Sequence, residues 1–207
     1  MKAEQAALTP AQALESLRRG NERFVSGKTH PRDMLQDQRT TAGGQYPHAI
    51  ILSCIDSRAP AEVIFDAGLG DIFNARIAGN IADADLVGSM EFACKVAGAR
   101  LVLVMGHTSC GAIKGACDHI ELGNLTGLLQ KIEPAVASVQ HVPGERNSKN
   151  KDFVEAVSEA NVELTVERIR ELSPILRDME RAGEIQLAGC IYDLDTGKAR
   201  FLSHEKR

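Results

Sequence analysis

The segment Ile50–Arg58 reads I-I-L-S-C-I-D-S-R, an apolar run that breaks into a thiol, a carboxylate and a guanidinium within five positions. An aliphatic run bounded by polar residues suits a strand buried on both faces, and such strands belong to parallel sheets covered by helices on each side. In open α/β sheets the ligand site lies at the carboxyl ends of the strands. Cys54 and Asp56 are two apart and share one side of an extended chain. A second segment, Leu101–Gly111 (L-V-L-V-M-G-H-T-S-C-G), has the same shape and ends in His107 and Cys110. The chain is therefore expected to fold so that two strand ends bring these groups together.

The remaining pattern supports that expectation. Thr9-Pro10-Ala11-Gln12 is a helix start, with Thr as cap, Pro in the first turn and Gln closing a capping box. Leu14, Leu17, Asn21 and Phe24 then fall on one face, a stripe that needs a surface on its own subunit or on a partner. Residues 28–44 are polar and read as a surface loop with room for one short helix. Strands are expected at Ala49–Cys54, Asp71–Ile77 and Leu101–Met105, with helices over Pro60–Asp66, Gly88–Ala99 and Gly111–Ile120 between and after them. In Gly88–Ala99 the candidate core residues are Met90, Phe92, Ala93, Val96 and Ala97. Leu125–His141 is helical with a break at Pro134, and Val154–Leu172 is a long amphipathic helix. Ser173-Pro174 starts a helix ending near Gly183, and Asp195-Thr196-Gly197 joins Ile185–Leu194 to Lys198–Leu202 as a hairpin. Strand–helix alternation of this kind predicts an α/β fold with a mostly parallel central sheet.

Bulk properties exclude several functions. A net charge of -4 without a dense basic cluster argues against nucleic acid, as do 4% aromatics and no Trp. No apolar run approaches the roughly 18 residues of a membrane span, and the N-terminus has no secretory apolar region, so a cytoplasmic protein is expected. A periplasmic form trimmed of its signal would read the same. Five cysteines, at 54, 94, 110, 117 and 190, make a poor disulfide framework and a better set of reduced thiols, some of them metal ligands.

Cys54, Asp56, His107 and Cys110 are four residues with ligating side chains at strand ends, a donor set that suits tetrahedral zinc. The C-x-D…H-x-x-C spacing is not that of a zinc finger and needs two loops joined by a preformed sheet. Cys110 also precedes an expected helix, whose N-terminus favours a thiolate. The set Cys110, Cys117 and His119 is a rival, weakened because side chains two apart diverge on a helix. Cys94 and Cys190 read as buried small hydrophobes, and His30, His48, His141 and His204 as solvated. Asp66 and Asp71 flank a Gly-rich turn and read as turn formers. Gly106-x4-Gly111 lacks the Lys-Ser/Thr of a phosphate-binding loop.

The segments Cys54-Ile55-Asp56-Ser57-Arg58 and His107-Thr108-Ser109-Cys110-Gly111 resemble the two signatures of the β-class carbonic anhydrases, and the similarity runs from the Thr9–Gly27 helix to the Gly189–Leu202 ending. The resemblance implies a single domain over residues 1–207, with 1–44 as a helical arm and loop that can pack on a partner, in a homodimer or homotetramer. It implies one Zn2+ per subunit held by Cys54, His107 and Cys110, and reversible hydration of CO2 by attack of zinc-bound hydroxide. Asp56 and Arg58 would form a catalytic switching pair, with Asp56 as fourth zinc ligand in a closed state. Gln45 and the Gly111 N–H match substrate hydrogen-bond donors, and Phe73, Ala78 and Phe92 the apolar wall of the CO2 pocket. The family's allosteric type carries Trp three residues before the first zinc Cys; Ile51 stands there, so the non-allosteric, plant-like subtype is expected.

Zn2+ with two thiolates and a neutral imidazole carries no net charge, unlike a three-histidine site. Its water should ionise less readily, placing the rise in activity between neutral and mildly alkaline pH. Two other functions fit the same ligands: a CS2/COS hydrolase on this scaffold and a non-catalytic zinc-binding protein. A purely structural site needs neither Asp56, Arg58 nor Gln45. A cysteine phosphatase would need a longer interval than Cys54-x3-Arg58.

Overall fold

The computed structural model describes residues 2–202. Helices α1 (Lys2–Ala7), α2 (Pro10–Val25) and α3 (Met34–Thr41) precede strand β1 (Ala49–Ser53). Helix α4 (Ala61–Ile64) leads to β2 (Ile72–Arg76), then a 3-10 turn at Ala78–Asn80 and α5 (Ala84–Glu91), which runs into a π turn over Phe92–Val96. Strand β3 (Leu101–His107) is followed by α6 (Gly111–Cys117), α7 (Gly123–Gln130), α8 (Glu133–Ser138), α9 (Lys151–Leu172) and α10 (Pro174–Arg181). The hairpin β4 (Gln186–Tyr192) and β5 (Ala199–Phe201) ends the fold. The sheet order is β2-β1-β3-β4-β5, parallel except for the antiparallel β4–β5 pair. No helix among the described residues is long and apolar enough to cross a membrane.

The aliphatic run of β1 is buried at all five positions. Ile50 and Leu52 pack with Val102 and Val104 beneath α5, α9 and α10. Ala49 and Ile51 pack on the opposite face with Leu101 and Leu103, under α2 and α4. Each fully buried Leu or Ile contributes about 1.5–3 kcal/mol, so the two-faced burial that shapes the sequence also carries much of the stability. From β1 the chain runs to one neighbour, β2, and then across to the other, β3. The carboxyl ends of β1 and β3 thus flank the point where strand order reverses, and Ser53 pairs with Met105 in register.

Helix α2 lies on its own subunit. Thr9 and Gln12 close the expected capping box, and Leu17 is buried against α4 and the sheet. A Cβ at Gly20 would stand 1.9 Å from the Phe65 carbonyl oxygen, so only glycine allows this approach. Asn21 donates to the carbonyls of Ile64 (3.2 Å) and Gly197 (2.9 Å) and accepts from the Ala199 N–H (2.8 Å), tying the helix to α4 and the hairpin.

Two helices and one side chain depart furthest from the sequence expectation. The helix before β3 starts at Ala84, capped by Asp83. It widens to a π turn in which the Ala97 N–H donates to the Phe92 carbonyl, and this rotates Phe92 and Val96 outward, to 52% and 72% exposure. Helix α9 begins at Lys151, because the Asn150 side chain accepts from the Phe153 N–H and caps it three residues early. Asp66 does more than form a turn. Its side chain is almost fully buried between Arg23 and Arg32, accepts from the His30 N–H, and so clasps the N-terminal arm to the end of α4.

Burial favours the neutral form of Asp66, but the Arg23 hydrogen bond, the His30 N–H and the Arg32 charge together hold the carboxyl below its ordinary value. A lowered folded-state pKa stabilises fully above the unfolded carboxyl value of about 4 and is lost as pH falls through the folded value. Asp66→Asn keeps the left-handed backbone (φ 44) accessible and should cost about 1–3 kcal/mol at neutral pH in urea unfolding. The gap from wild type should shrink toward pH ~3; an equal gap at both pH values would show that charge is not its source.

Candidate metal centre

Cys54 leaves the end of β1, His107 is the last residue of β3, and Cys110 caps α6. Between the last two, Ser109 adopts φ 57, a left-handed step that folds the loop back so that His107 and Cys110 converge. The loop is locked to β4: the Thr108 N–H donates to Tyr192 O (3.0 Å), and the Thr108 hydroxyl accepts from the Leu194 N–H (3.0 Å). One ligand atom from each of Cys54, His107 and Cys110 lies within 4.8 Å of the others, and all three residues are buried.

The donor chemistry fits zinc. His107 Nδ1 lies 2.9 Å from the Thr108 carbonyl, which only accepts, so Nδ1 carries the proton and Nε2 its free lone pair. Nε2 is buried without a hydrogen-bond partner among the described residues and stands 3.8 Å from Asp56 Oδ2. The two sulfurs are 3.9 Å apart. The bond from Cys110 holds the Cys54 thiol well below the ordinary range, while the same bond and burial raise Cys110. Ionising both thiols so close together in a dry site requires a cation between them. Two thiolates and one imidazole leave a tetrahedral ion one open position, as in catalytic zinc sites.

Asp56 is turned toward Arg58. The guanidinium is bidentate, Nε to Oδ1 at 3.0 Å and Nη2 to Oδ2 at 2.8 Å, and the Arg58 N–H also reaches Oδ1 at 3.0 Å. This bond, followed by the opposing effect of burial, dominates and sets the carboxyl far below the usual carboxylate range. Arg76 was not singled out for this loop by sequence reasoning, yet its Nε donates to Cys54 O (2.9 Å) and its Nη2 to Asp56 O (2.6 Å). It clamps the backbone that presents both groups. Arg76 is the register partner of Ser53, a pairing that the structure fixes and the sequence does not signal.

The N–H groups of Ala112 and Ile113, at the start of α6, face Cys110 and favour its thiolate. Cys54, just past the end of β1, receives the Gly79 N–H instead, at 3.4 Å. Ala78, one residue earlier, is half-buried beside it, and Gly111 opens α6 with nothing within 4 Å of where a Cβ would stand.

Gln45, Phe73 and Phe92 lie elsewhere. The His48 N–H donates to Asp71 O and the His48 carbonyl accepts from Arg100, so residues 47–48 sit at the amino end of the sheet. Seven extended residues, about 23 Å, separate Pro47 from Cys54, and Gln45 is two residues beyond. The exposed Gln45 cannot touch the metal centre of its own chain. Phe73 pairs in register with Ile50, four residues upstream of Cys54, and its ring meets Phe92 edge-on at 6.4 Å.

The rival ligand set does not assemble: the described residues hold one such group, Cys54–His107–Cys110, while His119 is exposed beside Glu133. Cys94 and Cys190 are buried core residues as expected. His48 is half-buried rather than solvated, and burial lowers its pKa against the opposing charge of Asp71. His204 lies outside the described residues.

The carbonic anhydrase family model matches residues 49–199. Carbonic anhydrase 2 of Mycobacterium tuberculosis is 35% identical over 201 residues, spanning 94% of each chain. The crystal structure of the β-carbonic anhydrase CafA of Aspergillus fumigatus superposes with a TM-score of 0.72 at 26% identity, covering 95% of this chain and 92% of that one. One of two tetrameric β-carbonic anhydrases of Sordaria macrospora has the same fold, with a TM-score of 0.69 at 23% identity over 80% of this chain and 85% of that one.

Proposed function

The chain belongs to the β-class carbonic anhydrases, zinc enzymes that hydrate CO2 reversibly to bicarbonate and a proton, and we propose the following roles for its residues. The observation that carries the proposal is the convergence of Cys54, His107 and Cys110 with an Asp56 already immobilised by Arg58.

Cys54, His107 and Cys110 hold the metal. Bound there, zinc supplies a Lewis acid that makes water a nucleophile near neutral pH. Asp56, 3.8 Å from His107 Nε2, accepts a hydrogen bond on the metal side and orients the attacking lone pair toward CO2. Arg58 keeps Asp56 ionised and holds its carboxylate in a bidentate pair, so Asp56 would not take up a position on a bound ion. The Gly111 N–H faces substrate oxygen, and Ala78 forms part of the dry wall. Ile51, where the allosteric type carries Trp, is fully buried in the core, which favours the non-allosteric subtype. Five free thiols fit a reducing cytoplasm.

The remaining substrate residues act in trans. Gln45 is out of reach of its own metal centre, and Phe92 and Val96 expose apolar surface near Phe73. A homodimer that places these groups over a neighbour's centre completes the pocket. Pairing of dimers into a tetramer fits the assembly described for the Sordaria macrospora enzymes.

Stopped-flow CO2 hydration on protein of measured zinc content tests these roles. Asp56→Asn and Arg58→Ala should each lower turnover about 10–100-fold with zinc retained; parallel loss of zinc and turnover would make them structural. Turnover should rise from neutral to mildly alkaline pH, and a profile already flat at about pH 6.5 would refute the charge argument. Co-assembled Gln45→Ala and Cys54→Ser chains should regain up to half the wild-type activity per hybrid dimer, since one site is then intact. No gain over the separate homodimers would refute action in trans.

A further inference from the structure

We propose that Asn161, on α9, is a positioning residue for the Cys54 thiolate, acting through the peptide groups of Gly79; this rests on the assignment of Cys54 as a metal ligand. Asn161 is 3% exposed, and its Nδ2 donates to the Gly79 carbonyl at 2.8 Å, across 82 positions of sequence. A carbonyl only accepts, so the contact fixes which amide atom is the nitrogen. The Gly79 N–H in turn points at Cys54 Sγ, 3.4 Å away.

The two thiolates obtain their donors differently. Cys110 caps a helix, whose first turn presents free N–H groups as a consequence of helix geometry. Cys54 follows a strand and has no helical turn to supply N–H groups, so its backbone donors, Asp56 and Gly79, come from loops shaped for it. The turn at Ala78–Asn80 is built for that purpose. Gly79 has φ 70 and ψ 15, and a Cβ there would stand 2.6 Å from Ile132 Cδ1 and 3.3 Å from Ala112 Cβ. Both the backbone angle and the space demand glycine, which lets the main chain approach the sulfur. Glycine alone is also the least restrained residue, and an unanchored turn would swing its N–H away. Asn80 N–H to Ile77 O (3.0 Å) fixes one side of the turn and Asn161 the other.

An N–H aimed at a thiolate draws density from the sulfur and weakens its donation to the metal. In a centre whose two thiolates cancel the charge of the dication, such bonds restore part of the ion's electrophilicity. Asn161 thus acts on the metal without touching it.

The test uses full-length protein loaded with Co2+ in place of Zn2+. Asn161→Ala should shift the sulfur-to-cobalt charge-transfer band to lower energy, because the thiolate lone pair is no longer stabilised. Apparent Zn2+ affinity, read by release to a chelator, should nevertheless weaken on the order of 10-fold despite stronger donation by the sulfur, because the freed Gly79 turn no longer holds Cys54 in its ligating position. Ser158→Ala is the control: among the described residues this buried hydroxyl on the same helix bonds to Val154 O (2.9 Å) within its own helix, so both readouts should stay at wild-type values. Asn161→Ser supplies the same comparison if the alanine variant does not fold. A folded Asn161 variant with an unchanged band and unchanged affinity overturns the relay, as does a Ser158→Ala variant that reproduces the shift. Wild-type protein that takes up no cobalt would instead overturn the ligand assignment and the relay with it.

Discussion

Two sulfurs 3.9 Å apart in a buried pocket are the interaction on which the rest of this structure depends. Both cannot ionise there unaided, since like charges at that range in a poorly solvated site repel strongly. The surroundings therefore supply positive potential from several directions. Ala112 and Ile113 offer N–H groups to Cys110 and Gly79 offers one to Cys54, while the lone pair on the bare nitrogen of His107 turns inward and adds to the need for a cation. A dication completes the balance, which is why the site reads as a metal centre rather than as a pair of core cysteines.

Holding that geometry is a task for the sheet. Because β1 is flanked by β2 on one side and β3 on the other, the chain departs in opposite directions from a crevice between the carboxyl ends of β1 and β3. The crevice exists before any side chain is chosen, and ligands on two strand ends meet in it at fixed register. Strands β1 and β3 are rigid because each is buried on both faces. The loops are not, and each carries its own lock: Arg76 on the carbonyls of Cys54 and Asp56, the Thr108 hydroxyl on Leu194, and Ser109 in a left-handed step.

The charged groups at the mouth differ from those below. Arg58 is exposed and Asp56 mostly buried, so their bidentate pair spans the boundary between solvent and the dry site. Such a pair can part and re-form at modest cost, whereas the Asp66 clasp, enclosed by Arg23 and Arg32, is built to stay shut. The first pair has the mobility that its proposed part in the reaction requires, and the second anchors the N-terminal arm.

The sequence by itself determined what is local. The aliphatic runs set β1 and β3, Thr9 and Ser173 set helix starts, and the paired motifs around Cys54 and His107 identified the donors, because strand burial, capping and ligand chemistry are all written in short intervals. Contacts that join distant positions were decided only by the tertiary structure. Asn161 reaching Gly79, Arg76 reaching Asp56 and Arg23 reaching Asp66 leave no periodic signal, since a hydrogen bond between remote residues constrains only their end points. The outward turn of Phe92 and Val96 belongs to the same class: one extra residue in a helical turn rotates a face, and apolar composition cannot register it. The separation of Gln45 from its own metal centre followed from strand direction, which fixes the end of the sheet a residue occupies whatever its distance in sequence.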